Sequence, residues 1–565
     1  LLRLRPPLPH PRPRIRLPPH PHRPNVTQLT IVSVELMSKR TRKNNTNNIF
    51  GLDIVAATHL LKSEQYGAWY RDPWNFPELD TNFTETLDAP TLGVGKTPSG
   101  INFTVPPSFL PFDFPKSFFA TRPAVTQDLQ SSLVFAAAAL QVAPSLHESL
   151  EDWVYGWRMR NGEFAGQSSN EWTEYIKTKK DIQQSEYSAQ TDITSCFASI
   201  DHEEISDFVY KTVGKTTAAN IIASVLEQHA ITPGRRGLPQ RSNAASILAQ
   251  LAFYYIDLRI AERLSTGRIV SARRWMDDIS FEGNYEELHD LLTIIQNEAR
   301  RFGLEINTSK TNIVTSNQLV QEMEEEEHKL IEVEPVMIDE GYDEPSVLFY
   351  DYSPLVDLEE EILQAPSNYS RPTIGRVLKS LKHHGIYKRL DEWADQAPRM
   401  PHAADRVGRF LLAGRNRQFI PIDLSAWATR LILSPLVSLP WVRAQYAISV
   451  PSTEVQDDLR EILWSWLSQG TSIHCLAVAA DRLSRLDPKA FKVRAHSIID
   501  ENPGPQRDRI LAFSLLAAGA PRSQVARLLR RNPANNITLR YLEWCNWRTP
   551  KTAPDYDASL IDEIP

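Results

Sequence analysis

Two adjacent aspartates, Asp277 and Asp278, are the residues of this sequence whose type and setting most clearly point to chemistry. They lie in RRWMDDISFEG (273–283) between two short β-prone arms, which predicts a hairpin with both acids at its tip. Two like charges in a tight turn between apolar arms are electrostatically costly unless a cation lies beside them. A second pair, Asp457-Asp458, is predicted on a solvated helix face, so the dipeptide alone indicates no function.

Three further segments surround this hairpin along the chain. Asp192 ends a strand-like stretch in TDITSCFASIDH, and Lys310 lies in the turn of the strand–turn–strand pattern GLEINTSKTNIV. Between them, Gly237 and Pro239 predict a turn that leads into an apolar helix. The order is therefore strand with Asp, turn and helix, hairpin with Asp-Asp, amphipathic helix over 284–302, and Lys.

In this order the sequence resembles the palm of reverse transcriptases, and the resemblance covers about residues 110–316. It rests on six segments, which are Asp192 with Phe197 (motif A), GLPQ at 237–240 with Ser246 (motif B), Trp275-Met276-Asp277-Asp278 (motif C), Asn307 with Lys310-Thr311 (motif D), the pair Phe114-Pro115-Lys116 and Thr121-Arg122-Pro123 of the fingers, and Val154-Tyr155-Gly156-Trp157-Arg158. Each segment is weak alone, whereas six in order form a specific pattern.

The resemblance implies nucleotidyl transfer assisted by two divalent cations, Mg²⁺ with Mn²⁺ as a substitute. Asp192, Asp277 and Asp278 would be the metal ligands, because Mg²⁺ prefers a few hard oxygen ligands. By analogy the backbone carbonyl of Ile193 would complete the set. Lys310 would lie near the leaving pyrophosphate as a further catalytic residue.

The same resemblance assigns substrate contacts. Lys116 and Arg122 would grip the triphosphate, and Gln240 would line the pocket for the template or the incoming nucleotide. Phe197 would occupy the place of a ribose 2′-OH and so favour dNTPs, the alternative being that it is an ordinary core residue.

Two residues depart from the pattern of the family. Motif B usually has glycine after the glutamine, where this chain has Arg241, and motif C usually has Tyr or Phe two residues before the first aspartate, where this chain has Trp275. A long cation in place of a hydrogen puts ordinary template handling in doubt.

The predicted fold is an α+β right-hand polymerase, with fingers and a ferredoxin-like palm sheet, followed by an all-α helical-repeat domain. The expected segments are a low-complexity start upstream of the ordinary chain (1–36), an N-terminal extension (37–110), fingers and palm (111–318), an acidic linker or insertion (319–365), the helical domain (366–548) and a frayed tail (549–565). In the helical domain, Thr453 to Gln456 has the spacing of a capping box that would open a helix.

Composition sets outer limits on these interpretations. The 565 residues are 42% hydrophobic and 23% charged, as in an ordinary globular protein, and no apolar run is long enough to predict a membrane span. Three scattered cysteines support neither a disulfide framework nor a zinc site, so we expect a cytoplasmic protein. The net charge of −7 hides a basic start (residues 1–43, ten bases and one acid) and an acidic segment (residues 320–361, sixteen acids and one base).

The function predicted from the sequence is an RNA-directed DNA polymerase in bacterial antiviral defence of the abortive-infection type, because a helical array follows the palm. Synthesis without a template, or from a protein primer, is a variant of this interpretation. The expected partners are dNTPs, an RNA template or non-coding RNA, the DNA product, and a second copy or accessory protein on the helical domain. The alternatives are an RNA polymerase on the same palm and a non-catalytic scaffold.

Overall fold

The structure is a computed structural model, and it describes residues 47–65, 69–117, 120–160, 163–165, 169–180, 185–319, 321, 335–338, 347–418, 422–469, 472–498, 503–554 and 556–557. The strands in this part of the chain are β1 (Asn48–Ile49), β2 (Leu52–Asp53), β3 (Val94–Thr97), β4 (Gly100–Phe103), β5 (Phe109–Ser117), β6 (Ala120–Gln127), β7 (Val154–Tyr155), β8 (Arg158–Arg160), β9 (Glu163–Ala165), β10 (Tyr187–Thr191), β11 (Ile269–Trp275), β12 (Asp278–Gly283), β13 (Asn312–Thr315), β14 (Pro335–Ile338) and β15 (Val347–Tyr350).

The α-helices fall into two groups. The first group surrounds the strands and comprises α1 (Ile54–Gln65), α2 (Thr81–Thr84), α3 (Leu129–Leu146), α4 (Ser169–Lys180), α5 (Cys196–Ser199), α6 (His202–Val213), α7 (Thr217–Ala230), α8 (Asn243–Ala249), α9 (Tyr254–Ser265) and α10 (Tyr285–Ala299). The second group follows β15 and comprises α11 (Ser353–Gln364), α12 (Arg371–His384), α13 (Leu390–Gln396), α14 (Ala404–Gln418), α15 (Leu424–Leu433), α16 (Pro440–Ile448), α17 (Asp457–Gln469), α18 (Ile473–Leu486), α19 (Pro488–Ile498), α20 (Pro505–Ala517), α21 (Arg522–Leu529) and α22 (Asn536–Trp544).

A five-stranded sheet in the order β13-β10-β12-β11-β7 carries the residues singled out above. β10, β11, β12 and β13 pair antiparallel, and β7 runs parallel to β11 at one edge. From β10 to β13 the chain runs strand, helices, strand, strand, helix, strand, which is the ferredoxin-like arrangement. β12 is buried from Ile279 to Gly283, as expected for a central strand with β10 and β11 on either side.

Helix α10 shows how the sequence sets the bounds of an element. Its N-terminus is capped by Asn284, whose side chain accepts a hydrogen bond from the N–H of Glu287 (2.9 Å). Apolar residues at helical spacing, from Leu288 to Ala299, form its buried face against the sheet. After a short 3₁₀ turn the chain reverses at Gly303, which has φ +72°, a conformation that favours glycine.

The described residues from Asn47 onward form one compact unit with two large apolar cores. One core lies around the sheet and helices α1, α3, α7 and α8. The other joins the second group of helices to the N-terminal extension and the β5–β6 hairpin, because Trp69, Trp74 and Phe114 pack among residues of α12 to α20. In the described part of 353–544, the regular elements are all helical.

One expectation for the second group of helices is wrong. The predicted capping box does not open a helix: Ser452–Glu454 is a 3₁₀ turn and α17 begins at Asp457. Gln456 is used elsewhere, since its backbone N–H donates to Ser425 Oγ (3.0 Å) and its side chain donates to Asp423 (2.9 Å).

The predicted tail is also packed rather than frayed as far as the structure describes it. The N–H of Ala553 donates to the carbonyl of Pro73 (2.7 Å), and Tyr556 is 1% exposed. Asp557 is buried and pairs with the equally buried Arg482 at 3.3 Å. The predicted segment 1–36 lies outside the described residues. In the predicted acidic segment 319–365, the described residues include β14, β15 and helix α11, so the helices begin at Ser353 rather than after residue 365.

Among the residues that the structure describes, two helical stretches are long and apolar enough, by length and composition, to cross a membrane: Leu129–Leu146 and Asn243–Ser265. In each, 72% of the window is buried inside the protein, as in the core helices of a globular fold.

Candidate active site

The strand register brings the predicted acids to one edge of the sheet. Thr191, the last residue of β10, pairs with Ile279 of β12, so the next residues outward, Asp192 and Asp278, are neighbours. The β11–β12 hairpin pairs Trp275 with Asp278, which leaves Met276 and Asp277 as its two-residue turn. The predicted hairpin with acids at its tip is thus confirmed, and Asp192 lies beside it.

The turn itself is strained. Met276 has φ +54°, although the first central position of such a turn normally takes glycine when φ is positive. A left-handed conformation costs a side chain of this kind roughly 1–2 kcal/mol. It is held in place by Arg274, whose Nη1 donates to the carbonyl of Met276 (3.2 Å), and by Gln250, whose Nε2 lies 3.5 Å from the Met276 sulfur.

A buried polar network braces the hairpin from behind. Arg274 is fully buried and donates through Nε to Asp257 Oδ1 (2.8 Å) and through Nη1 to Gln250 Oε1 (2.8 Å). Gln250 Nε2 in turn donates to the carbonyl of Gly156 (2.6 Å). These residues were not predicted from the sequence, although an arginine in an otherwise buried strand indicates that a buried partner must exist.

Trp275, one of the departures, is accommodated by aromatic packing. Its ring lies 4.8 Å from that of Trp172 and 5.7 Å from that of Trp157, measured between centroids. Gly156 has φ +74°, and a Cβ there would already meet the indole at 3.4 Å. The indole packs directly on Gly156, whose positive φ favours glycine.

Asp192 is positioned by the segment that contains Lys310. Lys310 Nζ lies 2.9 Å from Asp192 Oδ2, and Asn307 Nδ2 donates to the same oxygen (3.2 Å). The backbone N–H of Asn307 also donates to the carbonyl of Asp192 (2.7 Å). The structure thus brings Asp192 and Lys310 into direct contact, and it assigns Asn307 a positioning role that its place beside Lys310 in the sequence did not reveal.

Three carboxylates are crowded at this edge of the sheet, which makes negative charge there unfavourable. Burial, together with the charges of Asp278 and Asp192, raises the pKa of Asp277 to about 6. Burial and the charge of Asp192 raise the pKa of Asp278, against the opposing effect of Lys179 and Lys310. Burial tends to lower the pKa of Lys310, but its hydrogen bond to Asp192 and the three negative charges outweigh burial and raise it.

Asp192, Asp278 and Lys310 face a cavity of about 240 Å³ at the sheet edge, and Asp277 lies next to Asp278 outside its lining. Its lining includes Tyr175, Lys179, Asp192, Asp278 and Lys310. In the described part of the chain, no three His, Cys, Asp or Glu side chains are arranged as they stand to hold a metal ion. The donor set nevertheless fits a divalent cation in type, because the crowding that raises the pKa of Asp277 is relieved by positive charge.

Motif B is tied to motif A through the backbone. The N–H of Leu238 donates to the carbonyl of Phe197 (2.7 Å). Gly237, at φ +70°, approaches so closely that a Cβ there would lie 2.1 Å from that oxygen. The predicted turn at Gly237 is thus the point at which the two motifs meet, and any other residue would force them apart.

The other predicted site residues lie outside the lining of this cavity. Phe197 is half-buried in α5 against the core, and Ile193 is buried, forming a β-bridge with Ile306. Lys116 and Arg122 are exposed on the β5–β6 hairpin. Their assignments as sugar gate, metal ligand and triphosphate contacts stay predictions.

Gln240 and Arg241 line a different cavity, between α1, the β5–β6 hairpin and α3. Arg241 has φ +63°, a left-handed backbone that favours glycine, the residue that the family usually has here. Its guanidinium lies over the ring of Trp69, 5.5 Å from the centroid.

Residues 135–338 match the family described as Reverse transcriptase (RNA-dependent DNA polymerase). This segment is therefore a reverse transcriptase domain, the domain of a nucleotidyltransferase, and it implies a right-hand polymerase fold. No curated protein sequence matches the chain. One similar solved structure is that of telomerase from Candida tropicalis in complex with the TWJ fragment of telomeric RNA, with 13% identity, a TM-score of 0.25, and 56% of each chain covered.

Proposed function

We propose, from the reverse transcriptase domain at residues 135–338, that this protein is an RNA-directed DNA polymerase that uses divalent cations, Mg²⁺ above all. The observation that carries the proposal is the meeting of Asp192 with the Asp277-Asp278 turn at one sheet edge, enforced by the pairing of Thr191 with Ile279. A non-catalytic protein that only scaffolds a partner would have no use for three crowded carboxylates.

The carboxylates would hold the cations, which when bound lower the charge barrier to attack on a nucleoside triphosphate. The carbonyl of Ile193 is the further ligand proposed. Lys310 forms an ion pair with Asp192 and lies where it can lend positive charge to a leaving pyrophosphate. Asn307 fixes the carboxylate of Asp192.

The substrate contacts are proposed with them. Lys116 and Arg122 would neutralise the triphosphate from the β5–β6 hairpin. Phe197 would exclude a 2′-OH and so select dNTPs. The polar and cationic residues Gln240 and Arg241 line one cavity beside the turn that meets motif A, which supports a role next to the nucleotide or template.

The direct test is incorporation of labelled dNTPs by the purified full chain on a homopolymeric RNA template with a DNA primer, in Mg²⁺. We expect synthesis with the wild type, none above background with Asp277→Asn, and full activity with Asp457→Asn, which alters an aspartate of the exposed pair. Equal incorporation by Asp277→Asn and the wild type would falsify the proposal.

Parallel reactions with rNTPs test the alternative of an RNA polymerase. We expect dNTPs to be preferred, and Phe197→Ala to relax that preference. A preference for rNTPs in the wild type would replace the proposal with an RNA polymerase. A reaction without added template and primer, followed by protease treatment of the product, tests template-independent and protein-primed synthesis.

For the biological role we propose antiviral defence in the bacterial cytoplasm, of the abortive-infection type. What supports this is the layout, with a helical region after the reverse transcriptase domain, where a non-coding RNA, a second copy or an accessory protein would bind. The test is plaque formation by a phage panel on bacteria that express the chain. We expect protection with the wild type and with Asp457→Asn and none with Asp277→Asn; protection by all three would instead assign it to a non-catalytic scaffold.

A further inference from the structure

The end of the helical region is strongly basic, in a chain whose net charge is −7. Residues 521–554 span α21, α22 and the turn after them, and with seven bases and one acid, Glu543, they carry a charge of +6. All seven bases are exposed, and we call their surface the basic face: Arg522, Arg527, Arg530, Arg531, Arg540, Arg548 and Lys551. A surface that serves only solubility mixes both signs of charge, so a face of one sign indicates a use for that charge.

The packing of α21 directs its arginines outward. The apolar residues of this helix are buried, and they are Val525, Ala526, Leu528 and Leu529. They form the side on which α21 packs against α20. Arg527, Arg530 and Arg531 are three and four residues apart and therefore share the opposite side of the helix.

The turn after α22 is held against the start of α21. Arg522 donates through Nη1 to Asn546 Oδ1 and through Nη2 to the carbonyl of Asn546, both at 3.4 Å. The chain reverses at Asn546 and Trp547, which have φ +54° and +60°, and the N–H of Trp547 donates to the carbonyl of Leu542 (2.6 Å). The bases at the start of α21 and those after α22 thus belong to one surface.

Most of this charge is not balanced by carboxylates. Elsewhere in the helical region exposed arginines form ion pairs, as Arg460 does with Asp457 at 2.9 Å and Arg430 with Asp395 at 3.4 Å. In the described part of the chain, the cations of the basic face without an acidic partner are Arg527, Arg530, Arg548 and Lys551. Like charges held together without counter-charges attract a polyanion.

An exposed indole lies beside these cations. Trp544 is 47% exposed and follows Arg540 by four residues on α22, so the two side chains are neighbours on the helix surface. The Trp544 ring packs on Phe83 and Tyr541, with centroids 5.7 and 6.1 Å away. Cations that bind phosphates next to an aromatic ring on which a base can stack are typical of surfaces that bind single strands. A duplex would leave this ring unused, because its bases are already stacked on one another.

We propose that the basic face and Trp544 bind a single-stranded nucleic acid, with phosphates on the arginine forks and a base stacked on the indole. RNA and DNA strands share this chemistry, and the experiment distinguishes them. The inference rests on the proposed function in that it locates where the helical region would hold an RNA or the DNA product. The surface lies outside residues 135–338 and uses none of the three carboxylates, so binding there needs no divalent cation.

The experiment measures binding of short labelled oligouridylate and oligothymidylate to the full chain in EDTA, by fluorescence anisotropy. We expect single strands to bind more tightly than a duplex of the same length, and the affinity to fall as salt is added. The strand that binds more tightly identifies the source. Asp277→Asn is expected to bind the strands as the wild type does while losing dNTP incorporation, so a failure of the polymerase proposal is seen separately.

A matched pair of double variants locates the phosphate contacts. Arg527→Gln with Arg530→Gln should weaken binding at least about tenfold at low salt, and should reduce the slope of log Kd against log salt by about 1.4, which is about 0.7 for each phosphate contact. Arg399→Gln with Arg430→Gln removes the same charge from other exposed positions of the helical region. This control should change binding less than about twofold and leave the slope unchanged.

Trp544 is tested separately from the charges. Trp544→Leu should weaken binding about fivefold or more without changing the salt slope, because stacking on one ring is lost and no cation is removed. Trp544→Phe keeps an aromatic face and should recover most of the affinity, which guards against misfolding. Irradiation of a 5-bromouridine strand bound to the wild type is expected to label the tryptic peptide Tyr541–Arg548.

Four results would overturn the proposal. The first two are a duplex that binds as tightly as the single strands, and a salt slope that Arg527→Gln with Arg530→Gln leaves unchanged. The third is an equal loss of binding in the control double variant. The fourth is competition by polyglutamate as strong as by unlabelled oligouridylate of equal charge, which would assign the basic face to an acidic protein segment instead.

Discussion

The chain has two Asp-Asp pairs, and their settings are opposite. Asp457 and Asp458 begin helix α17, where both are exposed, and Asp457 pairs with Arg460 one turn later (2.9 Å). Asp277 and Asp278 meet at a strained two-residue turn beside Asp192. The same dipeptide therefore stabilises one region and destabilises the other.

The physical reason is what each pair faces. Backbone N–H groups at a helix N-terminus favour negative charge, and solvent screens the repulsion between the two acids. At the hairpin, burial and Asp192 disfavour ionisation so strongly that the pKa of Asp277 rises to about 6. Crowded carboxylates that are retained at this energetic cost, and are supported by the polar network around Arg274, indicate that their charge serves a function.

The largest effect expected is on catalysis. Asp277→Asn should lower dNTP incorporation at least about a hundredfold, because cation binding at the carboxylates supplies several kcal/mol of transition-state stabilisation. Asp457→Asn should leave the rate within about twofold. Steady-state incorporation at saturating dNTP measures both, and circular dichroism checks that the variants are folded. Similar losses with both variants would mean that the acidic pairs do not differ in function.

The next effect concerns the turn that ties motif B to motif A. Gly237→Ala adds a methyl group 2.1 Å from the carbonyl of Phe197 and should destabilise the protein by about 2 kcal/mol or more. Gly234, in the same loop and with the same φ of +70°, has open space around its Cβ position, so Gly234→Ala incurs only the left-handed backbone, roughly 1 kcal/mol.

Urea unfolding of the two variants gives the difference, which isolates the close approach from the backbone conformation. Equal destabilisation would show that Gly237 matters only for its φ. It would also mean that the close approach of Gly237 to the carbonyl of Phe197 adds nothing to the stability of the motif B turn.

The sequence allowed the local features of the site to be predicted because they depend on neighbours in the chain. The β-prone arms on either side of Asp277 led directly to the hairpin, and helix α10 ends within a few residues of its expected bounds. The register of β10 against β12 was not predictable in this way, since it depends on pairing across about 90 residues of sequence.

The parts that could not be predicted are long-range. Arg274 contacts Asp257 and Gln250 only because the helices after the motif B turn pack against the sheet. Trp69 and Trp74 carry no signal in the sequence that they pack among the C-terminal helices. The capping-box spacing at Thr453 failed for the same reason, because a tertiary contact took the side chain of Gln456.

A divalent cation should stabilise only the hairpin pair. Millimolar Mg²⁺ is expected to raise the melting temperature of the wild type and of Asp457→Asn by roughly 2 °C, because an ion that binds the folded state shifts the equilibrium by mass action. Asp277→Asn should show little or no shift. Thermal melts with and without EDTA make the measurement without any catalysis; a shift of the same size in Asp277→Asn would contradict cation binding at Asp277.

The smallest effect is on the pH dependence of stability, and here the two pairs should differ in sign. The pKa of Asp277 is raised from 3.8 to about 6, so the folded state binds more protons than the unfolded state between these values, and the free energy of unfolding falls as pH rises through this window. In EDTA at pH 7, Asp277→Asn should therefore be more stable than the wild type by about 1 kcal/mol, a figure that allows for solvent screening. The gain should disappear near pH 4.

Asp457→Asn should instead lose a few tenths of a kcal/mol at pH 7, because it gives up a favourable charge at a helix N-terminus. Urea titrations from pH 4 to pH 8 measure both, and a stabilisation by Asp457→Asn equal to that by Asp277→Asn would show that neither pair is specially placed.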